Sequence, residues 1–328
     1  MAKADQIKAL IRCHAEGDDT RFYAIAMQVA AQAARAGHGN FAQELRDLVD
    51  RAKVESKRPE ATRVRPIPLA QPRGELAGLL TVTYPKTRLL DMALGDTLHD
   101  RLQRVIREQR ERERLHAHGF APLRKLLLIG PPGTGKTMTA SALAGELGLP
   151  LLSIQLDGLI TKYMGETAAK LRLVFEAMMA TRGVYFFDEF DALGSERGSG
   201  NDVGEIRRVL NSFLQFLEQD ESDSLIVGAT NHVGLLDQAL FRRFDAVCEY
   251  DLPSPHIASK VMHARLALLD TSRIDWTKAT KAADKLSHAE LTRACEQAAK
   301  DALLSDTTVL ETAGLVASLE ERRVMRPQ

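Results

Sequence analysis

Three features of this sequence predict an α/β fold, a parallel sheet covered by helices on both faces. Short apolar or β-branched runs at Leu151–Gln155, Val184–Phe187, Leu225–Ala229 and Val247–Tyr250 alternate with helical stretches, the pattern of strands joined by crossover helices. Ahead of them Leu126 to Thr139, LLLIGPPGTGKTMT, enters a glycine-rich turn as an apolar run and leaves it as a helix. Beyond Pro255 no strand pattern is visible, and helical stretches at Ile257–Leu269, Thr277–Leu286 and Ala289–Leu304 predict a separate helical lid with the lone Trp276 as its core anchor. The expected division is an N-terminal helical bundle over 1–53, a Pro/Arg-rich linker over 54–89, the α/β domain over 90–253 and the lid over 254–328.

The bundle rests on apolar spacing. Ile7, Leu10 and Ile11, then Phe22, Ile25, Ala26 and Val29, then Phe41, Leu45, Leu48 and Val49 mark three amphipathic helices, broken at Gly17-Asp18-Asp19 and Gly37-His38-Gly39. So small a bundle is marginal alone, which suits it to docking a partner or substrate. In the stretch that follows, Pro59, Pro66, Pro68 and Pro72 stand among Arg58, Arg63, Arg65 and Arg73, a composition that favours extended, semi-stiff chain. Leu90 to Gly119 is helical and charged, with Leu102, Val105, Ile106 and Leu115 inward and Arg and Glu spaced for pairs at i,i+3 and i,i+4. The helix from Lys136 stops at Gly148, with Pro150 just beyond.

Composition narrows the function. Lys+Arg and Asp+Glu both count 44 in 328 residues, so nothing in the net charge favours nucleic acid or an anionic membrane. The start, MAKADQIKALIR, lacks the apolar core of a signal peptide and no apolar run approaches ~20 residues, so a cytoplasmic protein without a membrane role is expected. Cys13, Cys248 and Cys295 are odd in number and far apart, against a disulfide framework or a cysteine zinc site.

Gly130, Pro131, Pro132, Gly133, Thr134, Gly135, Lys136 and Thr137 fit G-x-x-x-x-G-K-[ST], followed by Met138. Backbone amides freed by the glycines can close round phosphate oxygens at the start of a helix whose dipole adds positive charge. Lys136 reaches the β- and γ-phosphates of ATP and Thr137 offers a hydroxyl to Mg²⁺. In VYFFDEFDALG an apolar strand delivers two carboxylates to its C-terminal end. Asp188 suits the metal opposite Thr137, and Glu189 suits the base that polarises the attacking water.

These motifs, in this order, resemble the AAA ATPases, the AAA+ group that contains katanin, spastin, the proteasomal ATPases and the membrane protease FtsH. The resemblance runs from about Leu90 to Leu304. It implies the AAA+ fold, in which an α/β nucleotide domain precedes a small helical domain, and a homo-oligomeric ring, usually a hexamer. It implies that Asn231, closing LIVGATN, orients attacking water beside the γ-phosphate. It also implies that Arg242 and Arg243, in DQALFRRFD, reach the nucleotide of the neighbouring subunit. Arginine suits that place because its charge is spread over a planar fork and persists at any relevant pH.

In the resembled family an aromatic-hydrophobic-Gly segment lies on the central pore loop and grips an extended polypeptide. TKYMGET places Lys162, Tyr163, Met164 and Gly165 there, and an aromatic with a flexible thioether binds side chains of many shapes. Glu196 to Asp202, ERGSGND, is the candidate second pore loop. The chain departs from the family at Ser287, His288, Ala289 and Glu290, where Ser-Gly-Ala-Asp is common: His288 replaces a glycine near the bound base. The same four residues make a helix-capping box. No H-E-x-x-H occurs, so the zinc protease of FtsH is not expected, and the ending VMRPQ lacks the motif by which proteasomal ATPases dock. The amino-terminal bundle is similar to that of bacterial AAA ATPases encoded beside a subtilisin-like peptidase. The expected function is an ATP- and Mg²⁺-dependent ring motor that threads, unfolds or remodels protein substrates, with such a protease as a partner through the bundle. The alternative is a nucleic-acid-associated ATPase, a replication or transposition helper.

Overall fold

The computed structural model divides into two compact units, Met1–Pro66 and Ile67–Gln328. It describes residues 74–159, 164–189, 203–232 and 238–325, with isolated positions at 27, 30, 43 and 72. The expected bundle therefore lies outside the described residues, apart from Met27, Ala30 and Gln43, each helical. Residues 54–71 of the expected linker lie outside them as well.

The second part of that linker is a correction. Residues 74–89 are folded: a 3-10 turn at Gly74–Gly78 leads into strand β1, Leu80–Thr83, and a second turn, Leu89–Asp91, leads into helix α1, Asp96–Arg110. The four residues of β1 are too few to show a period above their surroundings. Helix α2, Arg112–Ala117, follows. Of the expected charge pairs on these helices, Arg104–Glu108 forms at i,i+4 (2.8 Å), while Arg110 reaches across to Glu146 (2.8 Å). Leu102, Val105 and Ile106 are buried as expected and Leu115 is half-buried.

The parallel strands are β2 (Lys125–Ile129), β3 (Leu151–Ile154), β4 (Val184–Phe187), β5 (Leu225–Thr230) and β6 (Ala246–Glu249). Their spatial order is β1-β3-β4-β5-β2-β6, with β1 added antiparallel at the edge beside β3. Between the strands run α3 (Lys136–Leu147), the short α4 (Leu156–Leu159), α5 (Met164–Ala180), α6 (Val203–Gln219) and the short α7 (Gln238–Phe241). Alternate residues of each strand feed opposite faces. Leu127, Ile129, Tyr185, Phe187 and Ile226 pack under α5 and α6, and Leu126, Leu128, Val184, Phe186 and Val227 pack under α1 and α3. Both faces are thus apolar, which is why the central strands read as unbroken hydrophobic runs. Phe187, the last residue of β4, is clamped by Phe213 edge-on with ring centroids 5.0 Å apart, fixing where the next residue, Asp188, emerges.

At the opposite end of the sheet β2 is anchored by polar groups. The Arg124 guanidinium pairs with the buried Asp220 carboxylate, and the amides of Arg124 and Lys125 donate to Asp245 Oδ2 at 2.8 and 2.9 Å.

The lid contains α8 (Pro255–Arg265), α9 (Trp276–Ala282), α10 (His288–Leu304) and α11 (Thr312–Val324) around a core that includes Met262, Leu266, Leu291, Cys295, Leu315 and Leu319. Two expectations are corrected. The lid is not wholly helical: β7 (Asp270–Arg273) pairs in parallel with β8 (Val309–Glu311), the first too polar and the second, at three residues, too short to be seen in the sequence. Trp276 is not the core anchor but sits half-buried at the rim, stacked on His263 with centroids 3.6 Å apart. Burial pushes the Cys248 thiol up to about 11 and that of Cys295 up to about 12, so both remain inert apolar fillers.

Candidate functional site

The phosphate loop begins where β2 ends, and the backbone there admits only glycine. Gly130 has φ +144°, and a Cβ at that position would stand 2.1 Å from the Tyr250 carbonyl oxygen. Gly133 has φ +76°, and its Cβ would meet Ser287 Oγ at 2.8 Å. The loop is braced from within, by Thr134 Oγ1 donating to the Pro131 carbonyl at 2.8 Å, and from behind, by Thr139 Oγ1 and Tyr250 Oη 2.5 Å apart. Burial raises the Tyr250 phenol, the hydrogen bond to Thr139 opposing, so Tyr250 stays a neutral strut. Lys136, the first residue of α3, is buried and curls back so that Nζ donates to the carbonyls of Gly130 (2.6 Å) and Pro131 (2.8 Å). Its charge is therefore held inside the loop that would receive phosphate. Met138 is part-exposed on the lid side.

Thr137 Oγ1 lies 3.0 Å from Asp188 Oδ2, so the candidate metal hydroxyl and carboxylate meet as expected. Glu189 follows at φ +49°, a left-handed conformation that strains a residue with a Cβ, and its amide donates to Asp188 Oδ1 at 3.0 Å. Its side chain is exposed. Asn231 lies just beyond β5, and its Oδ1 is buried without a hydrogen-bond partner among the described residues. A buried acceptor left unmet costs about 1–3 kcal/mol, so it points to a ligand-borne donor.

The arginines are placed elsewhere. Asp245, beside them in sequence, is bonded to the first residues of β2, whereas the phosphate loop follows the last. A five-residue strand, about 15 Å, thus separates Arg242 and Arg243 from the loop of their own chain. Arg242 is exposed, with no ion pair among the described residues, while Arg243 pairs with Glu218 at 3.1 Å. Of the candidate pore loop, Lys162 and Tyr163 lie outside the described residues, and Met164 and Gly165 open α5. The candidate second pore loop, 196–202, also lies outside them.

The lid closes on the loop through the start of α10. The Ala289 amide donates to the Gly133 carbonyl at 3.0 Å, and Ser287 and Glu290 form the expected capping box. Between lid and sheet lies a cavity of about 600 Å³ lined by Met92, Gly135, Met138, Val261, Ala264 and His288, among others. The expected helix from Leu90 is corrected: it starts only at Asp96, and Leu90 to Leu94, a turn and irregular chain before it, line this cavity instead. Tyr250, expected only as a strand residue, stands just beyond β6 and meets Thr139 across 111 residues, which no local pattern announces.

A model of the family described as "ATPase family associated with various cellular activities (AAA)" matches residues 126–252. An "Uncharacterized AAA family ATPase y4kL" of Sinorhizobium fredii is 33% identical over 303 residues, covering 92% of this chain and 89% of its own. This chain belongs to the AAA family. As an AAA ATPase it binds ATP and hydrolyses it. The "ATP-dependent zinc metalloprotease FtsH 1" of Symbiobacterium thermophilum is 36% identical over 229 residues, which are 61% of this chain but only 38% of that protein. The solved AAA domain of FIGL-1, 23% identical, superposes with a TM-score of 0.61 over 76% of this chain and 87% of its own, showing the shared fold. The glycine cradle, the Thr137–Asp188 pair and the orphaned Asn231 carbonyl together suit a triphosphate, a divalent ion and a water. Among the described residues no helix is long and apolar enough to cross a membrane.

Proposed function

We propose that this AAA ATPase is a Mg²⁺-dependent ring motor, a homo-hexamer that threads, unfolds or remodels protein substrates through a central pore in the cytoplasm. Gly130 to Met138 hold the nucleotide, and Thr137 with Asp188 hold the ion, which offsets phosphate charge when bound. Glu189 takes one proton of the attacking water while Asn231 Oδ1 accepts a hydrogen bond from its other O–H, turning the oxygen lone pair toward phosphorus. Arg242 serves the nucleotide of the neighbouring subunit. The observation that carries the ring is its distance from its own loop: an arginine a strand's length away works only on another chain. Arg243, held by Glu218, steadies that turn.

Lys162, Tyr163, Met164 and Gly165 form the gripping loop. The named ATP-dependent protease among the relatives supports a protein substrate, and the bundle over 1–53 is the docking element for a separate subtilisin-like protease.

The test is ATPase activity of the full chain with unfolded protein, DNA or RNA added, for wild type and Tyr163→Ala. Unfolded protein should stimulate wild type, and Tyr163→Ala should keep basal turnover and melting temperature but lose the stimulation. Stimulation by nucleic acid alone would overturn the protein-motor reading. Joint loss of basal activity and melting temperature would instead place Tyr163 in a core, where truncation costs about 3–5 kcal/mol.

A further inference from the structure

Arg242 is displayed on a tight turn that is pinned at both shoulders. Leu240 and Phe244 are buried on either side of it, and the amides of Arg243 and Phe244 donate to the carbonyls of Leu240 and Phe241 at 3.1 and 3.4 Å. Between those anchors Arg242 is exposed. Buried shoulders fix where the turn leaves the core but not how far its outer edge leans. A misplacement of about 1 Å at a group that must meet a transferring phosphoryl is enough to slow the reaction severely.

Asp245 supplies the missing constraint. Its Oδ2 accepts the amides of both Arg124 and Lys125, at 2.8 and 2.9 Å, and its own amide donates to the Lys125 carbonyl at 2.8 Å. These bonds tie a residue just past Arg242 to the place where β2 begins. A carboxylate that accepts two backbone N–H groups makes stronger bonds than a neutral acceptor would, and in a fixed geometry. The receiving end is itself held, since the Arg124 guanidinium pairs with the buried Asp220 and Lys125 Nζ donates to the Leu217 carbonyl. Strand β2 then runs unbroken to Gly130. The loop that holds a subunit's own nucleotide and the arginine that it extends outward are thus fastened to opposite ends of one strand. The fold does not depend on the carboxylate: the backbone bond to Lys125 survives any substitution, and Asp245 is exposed, so water can serve the two amides when its side chain is removed.

We propose, on the reading that Arg242 acts on the neighbouring subunit, that Asp245 is the positioning residue of this arginine. Its carboxylate sets the direction in which Arg242 leaves the turn, and through it the rate at which the next subunit hydrolyses ATP.

The experiment measures ATPase kinetics, ATP affinity and melting temperature of the full chain for wild type, Asp245→Ala and Asp245→Asn. Asp245→Ala should lower kcat about 10²-fold while ATP affinity stays within about three-fold of wild type. Asp245→Asn keeps an oxygen that can accept both amides and should recover most of the turnover. Complementation then separates aim from general damage. An Asp245→Ala subunit has an intact phosphate loop and a misdirected arginine, so rings mixed with Lys136→Ala subunits should regain activity, each Lys136→Ala subunit presenting a correctly held Arg242 to an intact loop. A variant whose own nucleotide site had collapsed would not be rescued. Wild-type turnover in Asp245→Ala would overturn the inference. So would absence of recovery in its mixed rings when an Arg242→Ala control, mixed with Lys136→Ala in the same way, does recover; the trans-acting arginine would then stand without Asp245. If Asp245→Ala fails to fold, Asp245→Ser, too short to reach both amides, takes its place in the same mixing test. No recovery in the Arg242→Ala control, or no mixed rings by native mass spectrometry, would remove the trans-acting arginine and the inference together.

Discussion

The two walls of the nucleotide cleft are built on different principles. On the sheet side three site residues stand next to strand ends, Gly130 after β2, Asp188 after β4 and Asn231 after β5, all carried by strands whose central residues are fully buried. On the lid side the contacts come from the first turn of one helix, through Ser287, His288 and Ala289. A sheet cannot move one strand end without disturbing its neighbours, whereas a helix end can tilt as a unit. The sheet wall therefore suits chemistry, which needs fixed geometry, and the lid wall suits selection and release.

The sharpest break in that comparison should come from the sheet wall. Glu189→Gln keeps the shape of the side chain and leaves Asp188 and Thr137 in place, so nucleotide binding should persist while turnover falls about 10²–10⁴-fold for want of a base. Steady-state ATPase beside equilibrium binding separates the two effects. Wild-type turnover in this variant would remove Glu189 as the catalytic carboxylate, and its strained φ of +49° would need another explanation.

The two loop glycines test the walls against each other. Alanine at Gly130 would drive its Cβ to 2.1 Å from the Tyr250 carbonyl, and Tyr250 is held in turn by its amide bond to the Ile129 carbonyl at 2.8 Å. Neither side can yield, so Gly130→Ala should cost about 3 kcal/mol, lowering the melting temperature by roughly 6–12 °C. Alanine at Gly133 collides instead with Ser287 and Ala289 of the lid, which can swing aside. Gly133→Ala should therefore cost only the strain of its left-handed backbone, about 1–2 kcal/mol and less than Gly130→Ala, and lose nucleotide affinity about ten-fold. Equal melting temperatures for the two variants would show that the sheet wall is no stiffer than the lid.

The same contrast explains what could be read from the sequence. The phosphate loop and the Asp188-Glu189 pair were visible because their chemistry needs neighbouring residues in one turn or at one strand end. Long-range partners were not: Thr139 meets Tyr250 across 111 residues and His288 meets Ala93 across 195, and no local pattern announces either. Strand β1 and the lid pair β7–β8 escaped because three or four residues cannot display a two-residue period against turn-rich surroundings. Trp276 was misplaced for a different reason: size and hydrophobicity suggest burial, but its ring found a partner in His263 at the surface.

The smallest effect belongs to the lid wall and concerns protons. Burial lowers the pKa of His288 more than the Ala93 hydrogen bond raises it, so the folded protein holds this ring neutral at pH values where the unfolded chain protonates it. Above the ordinary histidine range of about 6.5 both states are neutral and the group is silent. As pH falls through that range the unfolded chain takes up a proton first, so stability is lost toward acid. The other charged groups lining the same cavities, Asp91, Asp96, Lys260, Arg101 and Arg265 among them, are common to wild type and variant, so the difference between the two curves isolates His288. Melting temperature recorded from about pH 7.5 to 5.5 should decline less in His288→Phe than in wild type. Parallel curves would show that His288 takes its proton as easily in the fold as outside it, and that burial on the lid wall does not keep the ring neutral.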